Sequence, residues 1–521
     1  MRILLATLNA RYIHSALGLR YLQANMGDLA GQTVLREFTI AQRPLDIAEA
    51  LLAERPTILG LAVYVWNARE SEELVGLLRQ LAPQLIIVLG GPEISHEWQE
   101  QPIVAQADYL ITGQADLAFA ALCRQLLAGE SPAERIIHAA TPHPDQLQLP
   151  YALYSDEDIA QRVVYVEASR GCPFRCEFCL SALDKTAVPF ALTDFLAAMD
   201  ELYLRGLRHF KFIDRSFNLQ IAHCRAILEF FLARLDEKLF LHFELIPDRL
   251  PEALRELIAR FPPGSLQFEI GIQSLNPAVQ QRIDRKQDMG RSADNLRWLR
   301  EHSHAHLHVD LIIGLPGEDM ASFGQGLDQL YALHPHEIQL GLLKRLRGAP
   351  IARHSEAFGM RYMPRAPYTV LASAAIPFEQ MQRLARFARY WDLIANSGRF
   401  TQTLPLLLGQ QPFARFMRCS DWLYQRTGQT HKIQLEKLFN LLHQALIGPL
   451  QLTPEAVEAA LLADYQRSGH KGRLGFQHRD TAHSGKSAKS APGQRQQRHQ
   501  HSSTSLDLPK HWQDTEPKAQ P

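Results

Sequence analysis

The sequence predicts an α/β protein in three parts: a five-stranded parallel sheet, a partial barrel of six βα units, and a helical C-terminal region. Three observations predict it. Short apolar runs alternate with amphipathic helical stretches in two successive series. A polar, proline-bearing stretch, "TPHPDQLQLPYALYSDED", separates the two series. Beyond residue 376 periodic apolar positions continue without any strand run. A chain of 521 residues also exceeds the length at which one hydrophobic core keeps growing, so several domains are expected.

The first series comprises "RILLATL", "TVLREFTI", "ILGLAVYV", "LIIVLGG" and "DYLITG", with helical stretches such as "SALGLRYLQANMG" and "ARESEELVGLLRQLA" between them. Five such units give a parallel sheet covered on both faces, with right-handed crossovers and a crevice at the carboxyl ends of the strands. The second series comprises "VVYVEAS", "HFKFID", "LFLHFELI", "SLQFEIGIQS", "HLHVDLIIGL" and "EIQLGLLK". Six units fall short of a full eight-stranded barrel, so an open barrel is expected, with its active centre at the strand ends. The predicted domains are 1–140, a linker 141–160, the barrel 161–350, a helical domain 351–465 and a disordered tail 466–521. The tail is rich in Ser, Gly, Gln, His and Lys and poor in apolar residues, so burial cannot offset the entropy of ordering it.

Charge and targeting signals narrow the function classes. The 55 basic and 55 acidic side chains cancel, so nucleic acid is not expected as a partner and a small-molecule substrate is. No run approaches the roughly 18 apolar residues of a membrane span, and "MRILLATLNARYIHS" lacks a secretory cleavage site. No membrane association and a cytoplasmic location are expected.

Cysteine usage is uneven. "SRGCPFRCEFCLSAL" places Cys172, Cys176 and Cys179 directly after a strand, whereas Cys123, Cys224 and Cys419 are scattered through helical segments and read as spare buried thiols. Soft thiolates select zinc, copper(I) or iron–sulfur clusters. A closed zinc site needs a fourth ligand, and no His or other Cys lies within a dozen residues. A redox pair of Cys176 and Cys179 leaves Cys172 unexplained.

The spacing C-x3-C-x2-C, with Phe178 before the last cysteine, resembles the motif of the radical SAM superfamily. The resemblance implies a TIM-type (β/α)6 barrel in which the three thiolates hold a 4Fe-4S cluster and the fourth iron takes the amino and carboxyl groups of S-adenosylmethionine. Reductive cleavage would then release a 5'-deoxyadenosyl radical that abstracts hydrogen from the substrate. Later segments match in order. In "FIDRSFN" Asp214 stands where the methionyl ammonium is received. In "FEIGIQS" Glu269, Gln273 and Ser274 stand where ribose or carboxylate contacts are expected. In "VDLIIGLPGED" Gly314 and Gly317 resemble the platform under adenine. Phe178 is the remaining S-adenosylmethionine contact that the resemblance implies.

A flavodoxin-like (Rossmann-like) domain ahead of such a barrel resembles the cobalamin-dependent radical SAM group, which slots the corrin's nucleotide tail into the crevice. The resemblance implies cobalamin contacts at Asn9, His14, Tyr64, Gly90, Gly91 and Gly113. One departure is visible. Where methyl-transferring cobalamin proteins carry D-x-H-x-x-G, "YIHSALG" has Tyr12 for Asp and Gly18 one place late, so His14 lacks the carboxylate that would orient a metal-bound imidazole.

The implied activity is a cobalamin-dependent radical SAM enzyme, with methyl transfer to a small substrate and an electron donor such as flavodoxin or ferredoxin. The layout is similar to that of a subgroup with an additional helical domain. Two alternatives are a methylthiotransferase-like RNA- or protein-modifying radical enzyme without cobalamin, and a non-catalytic iron–sulfur sensor. In a two-cofactor enzyme the crevice and the barrel mouth must face each other across the linker.

Overall fold

The computed structural model describes residues 2–469, 472–476 and 495–500. The chain forms two compact units, Met1–Ala385 and Arg386–Pro521.

The first unit opens with an all-parallel sheet of β1 (Ile3–Asn9), β2 (Thr33–Thr39), β3 (Ile58–Ala62), β4 (Ile86–Gly90), β5 (Tyr109–Gly113) and β6 (Ile136–Ala139), in the order β2-β1-β3-β4-β5-β6. The central β1 is buried at every position. Its Leu4, Ala6 and Leu8 enter one core and Ile3 and Leu5 the other, so helices cover both faces. Strand order reverses between β1 and β3, which opens a crevice at their carboxyl ends. The sequence led us to expect five strands. The sixth, β6, is an edge strand of four residues, exposed or only partly buried, so its hydrophobic signal is weak.

The segment expected as a linker is packed. Tyr151 and Tyr154 are buried, their hydroxyls donating to the carbonyls of Glu167 and Tyr165 at 3.0 and 2.9 Å. Asp158 pairs with Arg20 at 2.9 Å, tying this segment to the first helix, Leu17–Ala24.

The second sheet contains all six expected strands: β7 (Val164–Val166), β8 (His209–Phe212), β9 (Phe240–Glu244), β10 (Leu266–Gln273), β11 (His306–Ile313) and β12 (Glu337–Leu342). They pair in parallel and in sequence order, leaving β7 and β12 as open edges. Alternation along the strands separates two faces. Phe212, Phe243 and Phe268 form an aromatic layer, with centroids 4.3 Å apart for the first pair. The opposite parity carries Glu244, Glu269 and Asp310. The register sets Glu244 beside Glu269, and Gly271 beside Asp310.

Residues 345–385 follow β12 and add a 3-10 turn, Pro350–His354, and an antiparallel pair, Arg361–Tyr362 with Val370–Ala372. In the second unit Phe400, Phe416 and Phe439 are buried among helices that include Pro412–Thr427, Leu435–Ile447 and Pro454–Arg467. The buried carboxylate of Asp464 accepts from the Thr403 amide and hydroxyl at 2.8 and 2.7 Å, satisfying the start of helix Thr403–Leu408. Within the stretch expected to be disordered, Arg495–Gln500 is a helix whose Arg498 donates to the Ser397 carbonyl at 2.7 Å. Residues 470–471, 477–494 and 501–521 of that stretch lie outside the described residues. Among the described residues no helix is long and apolar enough to cross a membrane. All six cysteines are free. Burial pushes the thiols of Cys123, Cys224 and Cys419 up to about 12, as expected of spare core thiols.

Candidate active site

The cysteine loop leaves β7 through a short hairpin, Ser169–Arg170 against Val188–Pro189. Gly171 is required at its base: φ is +92°, and a Cβ would lie 2.2 Å from the Thr186 carbonyl oxygen. Backbone bonds fix the rest of the loop. Cys172 N donates to Asp184 O at 3.3 Å, Cys179 N to Cys176 O at 3.0 Å, and Glu177 N to Ile283 O at 3.0 Å.

Cys172, Cys176 and Cys179 line one cavity of about 250 Å³, together with Phe178 and the inward residues of the strands. Among the described residues no three Cys, His, Asp or Glu side chains converge on a single metal ion. A 4Fe-4S cluster with one iron left open to a small molecule asks for something different: three thiols spread around a shared space, where an ordinary cluster takes four. The three cysteines meet that requirement, and burial pushes the Cys172 and Cys176 thiols up.

Glu269 and Gln273 reach this cavity as expected. Glu269 accepts from His242 Nε2 at 2.9 Å, and that bond holds its carboxyl down at about 2. Glu244, Asp310, Arg215 and Arg285 also line the cavity and were not singled out from the sequence. Arg215 pairs with Glu244 at 3.1 Å. Burial, with Glu269 and Glu244 nearby, raises the Asp310 carboxyl well above the usual range.

Four expected S-adenosylmethionine contacts are not brought to the cavity. Asp214 turns back under the cysteine loop, accepting from Ala168 N at 3.0 Å and Ser169 Oγ at 2.7 Å, and burial raises it to about 7. Its neighbour Arg215 faces the cavity instead. Ser274 is buried and donates to Glu318. Gly314 packs under Val370 and Met381, and Gly317 under Arg282 and Phe358. Position at a strand end leaves the direction of the side chain open, and here the loop packing decides it.

In the first sheet, Tyr64, Gly90, Gly91 and Gly113 line the crevice, a cavity of about 190 Å³ with largely apolar walls. The flat, glycine-lined slot fits a heterocycle passing close to the backbone. Gly91 is the tightest point: φ is +113°, and a Cβ would sit 2.4 Å from the Val63 carbonyl oxygen. Asn9 and His14 do not line this crevice. Asn9 donates to the His14 carbonyl at 2.9 Å and to Glu37 at 3.0 Å, and the His14 ring sits 2.7 Å from the Tyr165 hydroxyl, at the junction with β7. Gly18, the displaced glycine of "YIHSALG", does line it.

A third cavity, of about 290 Å³, lies between the two. Gly18, Gln114 and Arg170 line both it and the crevice, while Arg215 lines both it and the cysteine cavity. The crevice and the barrel mouth are thus linked by shared wall residues through one intervening cavity.

Residues 345–368 strap this arrangement together. Tyr368 donates to the buried carboxylate of Glu93, just past Gly91, at 2.5 Å, and Arg345 and Arg347 pair with Glu97 at 3.0 and 3.4 Å. Farther along, Arg353 and His354 hold Glu177 in the cysteine loop, His354 at 2.7 Å, while Ile351 N donates to Glu177 O at 2.9 Å.

Comparison with known proteins agrees with this geometry. Residues 3–123 match the B12 binding domain, residues 166–330 the Radical SAM superfamily, and residues 356–514 a family described as protein of unknown function (DUF4080). The cobalamin-dependent radical SAM methyltransferase TokK of Streptomyces tokunonensis is 25% identical over 420 residues, covering 68% of this chain and 59% of the relative. A 2-(S-pantetheinyl)-carbapenam-3-carboxylate methyltransferase of Streptantibioticus cattleyicolor is 25% identical over 360 residues, covering 60% and 51%. The chain thus spans little more than half the length of these two relatives. In fold it is similar to the radical S-adenosylmethionine methyltransferase TsrM of Kitasatospora setae, solved with cobalamin and a 4Fe-4S cluster (TM-score 0.60, 15% identity, 90% of this chain and 100% of that one). It is similar also to the cobalamin-dependent S-adenosylmethionine radical enzyme OxsB (TM-score 0.60, 12% identity, 90% and 80%). The chain thus carries a B12 binding domain over its first sheet and a radical SAM domain over its second.

Proposed function

We propose that this protein is a cobalamin-dependent radical SAM enzyme that transfers a methyl group to a small molecule. Cys172, Cys176 and Cys179 would hold a 4Fe-4S cluster, with S-adenosylmethionine beside Phe178, Glu269 and Gln273, and the crevice at Gly90, Gly91 and Gly113 would take the cobalamin tail. When bound, these groups supply one-electron cleavage of S-adenosylmethionine, hydrogen abstraction and a transferable methyl group. The chain's residues position and shield. Burial of Cys172 and Cys176 keeps water from the cluster face, and Glu269, ionised by its His242 bond, offers an acceptor to an ammonium or hydroxyl. Asp214 and Gly171 act on the loop's shape rather than on the cofactor.

The observation that carries the reading is the succession of three neighbouring cavities that share Arg215, Arg170 and Gln114 as wall residues, because the reacting groups of two cofactors must come within near-contact distance of one substrate. The B12 domain match disfavours the methylthiotransferase-like alternative. A low-potential donor such as flavodoxin or ferredoxin would deliver the electron, in the cytoplasm.

The test is anaerobic reconstitution with iron, sulfide and hydroxocobalamin, followed by S-adenosylmethionine and a reductant. Expected are about four irons per chain, stoichiometric corrinoid and release of 5'-deoxyadenosine. The triple variant Cys172→Ala, Cys176→Ala, Cys179→Ala should lose the iron and Cys224→Ala should keep it. Iron retained in the triple variant, or no corrinoid bound by the reconstituted protein, would overturn the reading.

A further inference from the structure

We propose that Arg285 sets the reduction potential of the cluster held by Cys172, Cys176 and Cys179. The proposal rests on the cluster reading above and adds a residue that lies outside the cysteine motif. Arg285 follows the helix Pro277–Arg282, and its guanidinium is held at all three nitrogens. Nε donates to Gln287 Oε1 at 2.9 Å, Nη2 donates to the Gly271 carbonyl, and Nη1 is aimed at Cys176 Sγ at 3.3 Å.

The strand beside it is shaped for this seat. Strand β10 loses register between Gly271 and Gln273, where Gln273 takes a φ of +71°. A Cβ on residue 271 would fall 3.3 Å from Arg285 Nη2 and 2.4 Å from Gln273 Nε2. Strand irregularities of this kind re-aim groups beside active sites, and here one turns a backbone carbonyl toward the guanidinium and leaves room for it.

Arg285 closes no ion pair of its own among the described residues, although its charge is felt at Asp310 in the same cavity. Arg215 is paired with Glu244 at 3.1 Å, and Lys286 is 87% exposed with Asp284 at 4.0 Å. Among the described residues no carboxylate pairs with Arg285. Three thiolates around a 4Fe-4S core leave net negative charge, and reduction adds one electron more. A half-buried cation with an N–H aimed at a ligand sulfur stabilises the reduced form more than the oxidised form, so it raises the potential. The electron reaches S-adenosylmethionine only from the reduced form, which places Arg285 among the groups that govern how readily the enzyme is primed.

The test is an EPR-monitored redox titration of the reconstituted full chain without S-adenosylmethionine, using dithionite and mediators as the one-electron source. Arg285→Gln should keep its iron and be at least tenfold harder to reduce at a given potential, a midpoint about 59 mV lower. Arg285→Lys keeps the charge without the planar fork and should fall between the two. If the wild-type chain assembles no cluster, the cluster reading itself fails. If wild type and Arg285→Gln hold equal iron and titrate together, the role of Arg285 is overturned and the cluster reading stands. Loss of iron from both variants would make Arg285 a residue of cluster retention and overturn the proposal as stated.

Discussion

Arg170, two residues before the first cysteine, donates to Asp116 in the loop after β5 at 3.0 Å. The same guanidinium bonds Glu167 at 2.8 Å and lies 4.1 Å from the centre of the Tyr21 ring. One side chain therefore joins the base of the cysteine loop to the mouth of the crevice. Arg170→Met leaves the buried Asp116 and the half-buried Glu167 without their cation and should destabilise the first unit by about 3 kcal/mol, seen as an earlier thermal transition of the apo-protein. Arg170→Met with Asp116→Leu should recover part of that loss. An unchanged transition in the single variant would show that the pairs carry no stability.

The glycines of the crevice should separate backbone strain from occupancy. Gly91→Ala forces a side chain into φ +113° and against the Val63 carbonyl, costing about 1–3 kcal/mol and abolishing corrinoid binding. Gly90→Ala meets only the Ile111 carbonyl oxygen, at 3.7 Å, so its melting should match wild type while its corrinoid affinity falls. Equilibrium dialysis with hydroxocobalamin beside thermal melting reads both effects.

Two buried carboxyls should give the apo-protein an unusual pH dependence. Asp214 and Glu318 are each raised to about 7, chiefly by burial. A carboxyl whose folded value is raised stays protonated while its unfolded counterpart ionises. Stability therefore falls as pH rises from about 4 to about 7 and levels off above. Asp214→Asn together with Glu318→Gln should flatten the decline in melting temperature between pH 5 and 7. An equal slope in the double variant would refute the assignment.

Glu177 ties the strap to the cysteine loop. Glu177→Gln removes the anion shared by Arg353 and His354 and should speed hydrogen exchange at residues 350–354 at least tenfold, with exchange in β1 unchanged. Equal protection in the variant would mean that the Ile351–Glu177 backbone bond holds the turn alone.

The sequence made some of this legible and hid the rest for physical reasons. The six barrel strands are strong apolar runs, and Cys172, Cys176 and Cys179 declare themselves because their spacing is local. Asp214 and Ser274 were correctly placed at strand ends, yet each turned to a neighbour: Asp214 to Ser169, Ser274 to Glu318. Strand position fixes where a residue sits and leaves its bonding to the surrounding loops. Arg170 and Arg285 were invisible because their partners lie 54 and 109 residues away. The misplaced Gly18 and missing Asp beside His14 were readable as a departure, and the ring indeed sits against Tyr165, outside the crevice.

The strap also orders events during synthesis. The loop carrying Gly90 and Gly91 is translated long before Arg347 and Tyr368, the residues that hold its buried Glu93. On a ribosome adding roughly 5–20 residues per second, the first sheet emerges and collapses with Glu93 still lacking both partners. The bonds from Arg347 and Tyr368 to Glu93 can close only after the barrel strands have been translated. A nascent chain stalled before residue 345 would present the first sheet with Glu93 still lacking its bonds to the strap.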